Sequence, residues 1–248
     1  NQFSGFVNEP LGPAIAQEKL AHLLSRYANS TRHPDQGPIS ASGKLHGMSK
    51  GVPEVRYAEV ERETKETRVR VVLDFDGGTR RDISTGIGFL DHMLTLLAFH
   101  GHLDLGVQAD GDLHIDDHHT VEDVGIVFGQ AIRQALAESD PIERYGHAHV
   151  PMDEALALVA LDISGRGHCI FSANFTTDSL GTLSTQNVHE FFRALCLHAG
   201  INAHIRIEAG ENDHHKAEAI FKAFGQAIRQ AVRRVDGRSG TSTKGRID

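Results

Sequence analysis

The chain has 248 residues, enough for one large or two small domains with real cores. Its formal net charge of −8 and pI near 6.1 argue against nucleic-acid binding through a broad basic face, and no apolar run approaches the ~18 residues of a membrane span. The 2 cysteines, Cys169 and Cys196, fall outside any C-x-x-C spacing, which argues against a disulfide framework or a thiolate zinc site and fits a reducing compartment; the 17 histidines are the outlier.

Residues 1–53 differ in character from the rest of the chain. Between Pro10 and Asn29, residues Ile15, Leu20, Leu23, Leu24 and Tyr27 fall roughly on one face, which predicts an amphipathic helix. Ser30 to Pro53, rich in Gly, Ser, Pro and isolated charges, reads as a linker or disordered segment. An opening Asn in place of Met points to a chain trimmed from something longer, and signal-peptide architecture is missing from its start. Nothing in this stretch assigns it a function.

The globular part begins near Val55. Tyr57 to Thr64 and Arg68 to Phe75 predict a strand pair, the second alternating as Val69, Val71, Leu73, Phe75, and Asp76-Gly77-Gly78-Thr79 is a turn signal. A helix from Phe89 to Phe99 carries His92 and stops at Gly101; Leu103 to Ala109 reads as a strand, and a second helix runs from about Asp117 to Ala137. The second half repeats the order: strands at Ala155 to Ile163, nearly all apolar and so expected to be buried, and at His168 to Phe175. A helix comes next over Asn187 to His198 with His189 near its start and Gly200 as its stop, then a strand over Ala203 to Glu208 and a helix over Asp213 to Val235.

The repetition is strongest at Asp117-His118-His119-Thr120-Val121-Glu122, written again as Asp213-His214-His215-Lys216-Ala217-Glu218. Beyond both copies stand the same seven residues, Gly129 to Ala135 and Gly225 to Ala231. His92 precedes His118 by 26 residues and His189 precedes His214 by 25. Each half therefore offers one histidine from its first helix and two histidines with one glutamate from its second. Eight such ligands over two ions give four each, which leaves about two open positions on an octahedral ion and points to catalysis. Residues three apart share a helix face, so one ion is expected to take His119 with Glu122 and the other His215 with Glu218, leaving His118 and His214 to look elsewhere. Asp117 and Asp213 are expected at the N-caps, where a side-chain oxygen satisfies a backbone N–H.

Outside the repeat, Arg144, Arg166, Lys216, Ser242 and Lys244 are the positive and hydroxyl-bearing residues to consider for an anionic substrate group, although a lone arginine between glycines is usually a solvated turn residue. Glu190, directly after His189, and Glu66, in the turn between the first two strands, are the candidate general bases, each weighed against an ordinary surface glutamate.

The chain resembles the imidazoleglycerol-phosphate dehydratase family of histidine biosynthesis. The segments that carry the resemblance are Gly88-Phe89-Leu90-Asp91-His92-Met93-Leu94, Asp116-Asp117-His118-His119-Thr120-Val121-Glu122-Asp123, Pro151-Met152-Asp153-Glu154-Ala155-Leu156, Asn187-Val188-His189-Glu190-Phe191-Phe192, Asn212-Asp213-His214-His215-Lys216-Ala217-Glu218 and Ser242-Thr243-Lys244-Gly245. They cover roughly residues 55 to 246. The resemblance implies an α+β fold, an internally duplicated half-domain of the ribosomal-protein-S5-domain-2 kind with helices packed on mixed and antiparallel sheets. It divides the chain into an N-terminal extension, 1–53, and a dehydratase domain, 54–248, made of two repeats at about 54–140 and 141–240.

It also implies two Mn²⁺ per active site, on His92, His118, His119, Glu122, His189, His214, His215 and Glu218. Further implications are a homo-oligomer of 24 subunits with sites at subunit contacts, and a cytoplasmic or plastid location. The reaction implied is loss of water from D-erythro-imidazole-glycerol phosphate, through a metal-bound imidazolate and a diazafulvene-like intermediate, to give imidazole-acetol phosphate. Glu66 would move the proton, with Glu190 in reserve, and Arg144, Arg166, Lys216, Ser242 and Lys244 would hold the phosphate. The chain departs from the family where Gly165-Arg166-Gly167-His168 replaces the common Gly-Arg-Pro-Tyr. Rival readings are a dinuclear metallohydrolase, which would bring in bridging aspartates, and a non-catalytic metal-bridged assembly protein, which would not need the phosphate set.

Overall fold

The computed structural model describes residues 55–235 except 138 and 140. The helix expected between Pro10 and Asn29, the linker to Pro53, and Ser242 and Lys244 lie outside those residues.

Strands β1 (Tyr57–Glu63) and β2 (Thr67–Asp74) pair antiparallel, and β2 turns Val69, Val71 and Leu73 into the core with charged Arg68 and Arg70 on the other face. A short strand, β3 (Arg81–Ser84), stands where the sequence pattern predicts only a connection, and leads into helix α1 (Gly88–Gly101). It returns through α1 to run parallel with β4 (Asp104–Gly111), which gives the sheet order β1-β2-β4-β3. Helix α2 (His118–Leu136) closes the first half.

The second half has the same topology. Strands β5 (Tyr145–Met152), β6 (Ala155–Ile163) and β7 (His168–Ser172) are followed by a two-residue-per-strand hairpin, β8 (Ser179–Leu180) and β9 (Leu183–Ser184). Then come α3 (Thr185–Ala199), β10 (Ile201–Ala209) and α4 (Asp213–Ala231), with sheet order β5-β6-β10-β7. The fold is α+β and internally duplicated, as expected. The alignment of the halves needs correction, however: β5 is the counterpart of β1 in the second repeat, while Ala155–Ile163 and His168–Ser172 correspond to β2 and β3. In β5 the inward residues are Gly146, Ala148 and Val150. A Cβ on Gly146 would lie 2.0 Å from the Ala227 carbonyl oxygen, so α4 rests directly on this strand and its inward side chains must be small. A second correction concerns β6, where only alternate residues are buried; Leu156, Leu158 and Ala160 on the other face are intermediate.

The helices pack across the repeat, α2 on α3 and α1 on α4. Their shared core includes Phe191, Phe192, Phe221 and Phe224, all fully buried, with Phe192 4.8 Å from Phe221 and 5.0 Å from Phe224 between ring centroids. Each crossing is narrow because a glycine faces the partner's backbone. A Cβ on Gly129 of α2 would meet Leu195 O at 2.5 Å, and one on Gly225 of α4 would meet Leu97 O at 2.4 Å. Helix α1 includes Gly101 and ends at His102, which takes the left-handed conformation (φ 51°) in place of the expected glycine; α3 does end at Gly200, φ 71°.

A candidate dinuclear metal site formed across the repeat

Because α1 packs on α4, His92 of the first half meets the second half's ligand helix. Its Nε2 lies 3.0 Å from Glu218 Oε1, and His214 Nε2 lies 3.0 Å from the same oxygen. These three ligand atoms all fall within 4.8 Å of one another, the one such set of three among the described residues. The mirror arrangement on α2 and α3 is looser. His118 Nε2 is 3.6 Å from Glu122 Oε2, and His118 and His189 line one open cleft of about 550 Å³, with the His189 ring stacked on Phe171 at 5.0 Å.

Within the chain the structure thus sets Glu122 beside His118 and Glu218 beside His214, four residues apart, where the three-residue spacing favours His119 and His215. Three and four residues are both neighbours on a helix, and outside partners decide between them. His119 Nδ1 is drawn to Asp112 Oδ2 at 3.0 Å, with Glu66 Oε2 at 3.9 Å, and His215 Nδ1 to Glu154 Oε2 at 2.7 Å. Hydrogen bonding to Asp112, reinforced by the charge of Glu66, raises the His119 pKa, and Glu154 does the same for His215. The His215 bond in turn holds Glu154 down at about 2. In both rings Nδ1 is committed, which leaves Nε2 as the atom able to coordinate.

Both ligand carboxylates carry a cation on their other side. Lys222 Nζ reaches Glu218 Oε2 at 2.5 Å, and Arg193 of α3 reaches Glu122 Oε1 at 2.8 Å and Glu190 Oε2 at 2.6 Å. Burial opposes ionisation of Glu218, but hydrogen bonds from Lys222, His92 and His214 outweigh it and hold this carboxyl at about 2. Asp112, Glu154, Asn187, Arg193 and Lys222 touch the candidate ligands without a role read from the sequence, although Glu154 and Asn187 fall in segments that carry the family resemblance. Only Lys222, one helical turn after Glu218, gives a local signal for its role.

The two N-terminal aspartates do not cap their helices. Asp117 stands at the N-cap of α2 but bonds no helix N–H with its side chain; it accepts from Ser184 N and Ser184 Oγ, both at 2.7 Å. In α4 the cap is Asn212, whose side chain accepts from the His214 and His215 N–H groups, while Asp213 accepts from Thr176 N (2.6 Å), Thr177 N (2.7 Å) and Lys216 Nζ (2.8 Å). Burial would raise the Asp213 pKa, yet the bonds from Lys216, Thr177 and Thr176 bring it far below the carboxylate range. A depressed folded-state pKa means stability that is present above the ordinary value near ~4 and lost as pH falls below it. Asp213→Asn also leaves the Lys216 ammonium, 6% exposed, without its counter-charge. We expect a loss of about 3 kcal/mol at pH 7, shrinking toward zero as wild type is acidified below about pH 3; thermal unfolding across that range measures it, and a constant difference would contradict this role for Asp213.

The described candidate phosphate residues, Arg144, Arg166 and Lys216, differ in how far they are already engaged. Arg144, with φ 72°, makes two bonds to Asp162 (2.6 and 3.2 Å), and Lys216 is spent on Asp213 and Asn174 O (3.1 Å). Arg166 is exposed in a turn whose flanking Gly165 and Gly167 have φ of 85° and 71°. A proline, fixed near −65°, could not occupy position 167 in this conformation.

Residues 85–228 match the family model described as imidazoleglycerol-phosphate dehydratase. An imidazoleglycerol-phosphate dehydratase of Acetivibrio thermocellus is 54% identical over 193 residues, covering 77% of this chain and 99% of that protein. One from Streptococcus mutans is 53% identical over 178 residues, 72% and 92% of the two chains. The crystal structure of imidazoleglycerol-phosphate dehydratase from Staphylococcus aureus superposes with a TM-score of 0.66 at 40% identity, covering 72% of this chain and 99% of that one.

Proposed function

The chain belongs to the imidazoleglycerol-phosphate dehydratase family, a family of lyases, and on that premise we propose that it converts D-erythro-imidazole-glycerol phosphate to imidazole-acetol phosphate and water in histidine biosynthesis, using two Mn²⁺ ions. The observation that carries the metal reading is the meeting of His92, His214 and Glu218 across the repeat, with His118, Glu122 and His189 in the related place. Imidazole and carboxylate donors without thiolate suit an ion of the Mn²⁺ class.

Two such ions would supply Lewis acidity and a template for the two nitrogens of the substrate ring. The protein's own groups do the rest. The carbon-bound hydrogen to be removed is next to no carbonyl, so its electron pair must pass into the substrate's imidazole ring. Glu66, exposed beside His119 at 3.9 Å, is the base of this reading, and Glu190, held by Arg193 at the cleft, is the reserve. Arg166 is the one of Arg144, Arg166 and Lys216 without an ion pair among the described residues, which favours it as the first contact to phosphate, with Ser242 and Lys244 completing the set.

Three donors per cluster also bear on assembly. His119 and His215 stand outside their own chain's clusters, with Nδ1 committed and Nε2 in reserve. This supports metal sites completed by a neighbouring subunit, within the homo-oligomer of 24 chains that the family resemblance implies. A cytoplasmic or plastid location goes with the same reading; among the described residues no helix is long and apolar enough to cross a membrane.

The test is to supply imidazole-glycerol phosphate to Mn²⁺-loaded protein and assay the ketone product before and after chelation. Product that vanishes with the metal and returns on adding Mn²⁺ is expected, and absence of product from loaded wild type refutes the reaction. Sizing the particle in the same samples tests assembly: a large particle that persists with no metal bound contradicts ligands shared between subunits.

A further inference from the structure

Asn187 lies in the first turn of α3 and is 1% exposed, although its counterpart in the duplicated half, two residues before His92, is the apolar Leu90. An amide so deeply buried costs free energy unless both its ends are bonded. Its oxygen has such a partner: Oδ1 lies 3.1 Å from His118 Nδ1. The other end of the amide bears on the Asp117 carboxylate, where it acts as a donor and helps to lower the carboxyl's pKa.

The chemistry of the partners fixes the direction of the chain. An ionised carboxylate only accepts, so the Asn187 NH₂ must face Asp117, which leaves the amide oxygen toward His118. An amide oxygen only accepts as well, so His118 Nδ1 must carry the hydrogen, and the lone pair falls on Nε2, the nitrogen 3.6 Å from Glu122. Asp117 is itself immobilised by the two bonds from Ser184, at the junction where β9 enters α3. Carboxylate, amide and imidazole thus form one relay that joins the starts of α2 and α3.

Among the described residues no such relay serves the other cluster. Leu90 has no polar side-chain atom, and the His214 ring is held instead by Glu218 and by the edge of Phe89, centroids 5.1 Å apart. The two halves share ligands but differ in what orients them.

We propose that Asn187 is a positioning residue that locks His118 as the Nδ1–H tautomer and so presents Nε2 to the metal of the His118/Glu122/His189 cluster, making the two metal positions of the chain inequivalent. This rests on the reading of His118 as a metal ligand, and the test separates the two. Metal-free full-length protein is titrated calorimetrically with Mn²⁺, comparing wild type, His118→Ala, His214→Ala, Asn187→Leu and the exchange Asp117→Asn with Asn187→Asp, alongside the thermal midpoint of each metal-free form. Fewer than two Mn²⁺ per wild-type subunit would overturn the metal reading itself.

With two classes present, Asn187→Leu is expected to weaken by about 10- to 100-fold the class that His118→Ala removes, and to leave within about twofold the class that His214→Ala removes. The exchange Asp117→Asn with Asn187→Asp, which keeps an acceptor for Nδ1–H and puts an amide donor instead of a second carboxylate opposite it, should recover most of that loss. Wild-type affinity in Asn187→Leu, or equal weakening of both classes together with a lowered midpoint, would overturn the proposal. Should Asn187→Leu fail to fold, the exchange Asp117→Asn with Asn187→Asp decides: a folded protein that has lost the His118 class as completely as His118→Ala refutes the acceptor role.

Discussion

Replacing His118 and His214 together by alanine is expected to reduce dehydratase turnover by at least about 10³-fold, the rate equivalent of losing roughly 4 kcal/mol of metal-assisted stabilisation. Each histidine is the member of its cluster that stands four residues from the ligand glutamate, and His214 shares Glu218 Oε1 with His92 at 3.0 Å. Without it, one chain keeps two donors where it had three. The fold should be retained at a modest cost: both side chains are half-exposed, at 42% and 47%, and outside the buried core, while His118→Ala leaves Asn187 Oδ1 to the water of the open cleft that both residues line. The measurement is kcat/KM at saturating Mn²⁺, with the thermal midpoint of metal-free protein as control. Turnover within tenfold of wild type in a folded double variant would remove the dinuclear site from the mechanism.

The second large effect is on packing. Gly129 and Gly225 sit in the identical seven-residue stretches, and helix propensity alone says that alanine at either would stabilise by about 1 kcal/mol. The crossings say the opposite. An added Cβ at Gly225 meets Leu97 O at 2.4 Å and Gly101 N at 3.0 Å, and one at Gly129 meets Leu195 O at 2.5 Å and Ala199 N at 2.9 Å. These obstacles are backbone atoms of a packed helix, which cannot rotate away as a flexible side chain would, so each helix pair must separate. Overpacking of this kind costs about 1–3 kcal/mol, and with two close backbone contacts at each site we place each substitution at the upper end.

After the propensity gain, a net loss of roughly 2 kcal/mol per site remains, some 4–8 °C in the thermal midpoint for a fold of this size. The functional losses should divide by site. Gly225→Ala moves α4 from α1 and loosens the His92–Glu218 contact, whereas Gly129→Ala moves α2 from α3 and disturbs His118, Glu122 and His189. A rise in midpoint for either variant would mean that the crossing relaxes without cost.

Much of this protein was legible in its sequence because the signals are local. The ligand helices announce themselves by adjacent histidines and a glutamate repeated with the same seven residues downstream, and the strands β2, β6 and β10 by their apolar residues. Family resemblance rested on those same short segments. Strands β3 and β5 were not legible. The first is four residues long, and the second turns Gly146, Ala148 and Val150 inward, side chains too small to register as a hydrophobic alternation until α4 is seen lying on them.

The choice of ligand pairs also had to wait for the fold. Helix geometry makes both three- and four-residue neighbours available, and only the approach of Asp112 to His119 and of Glu154 to His215 from other elements draws those rings aside. The same is true of Asp117 and Asp213, whose position invites a capping role but whose carboxylates answer to Ser184, Thr176, Thr177 and Lys216. By itself the sequence determined which donors exist and that they come in two sets. Tertiary structure decided which donors meet within the chain, because α1 packs on α4 and α2 on α3, so that each meeting takes residues from both repeats and no spacing along the chain records the crossing.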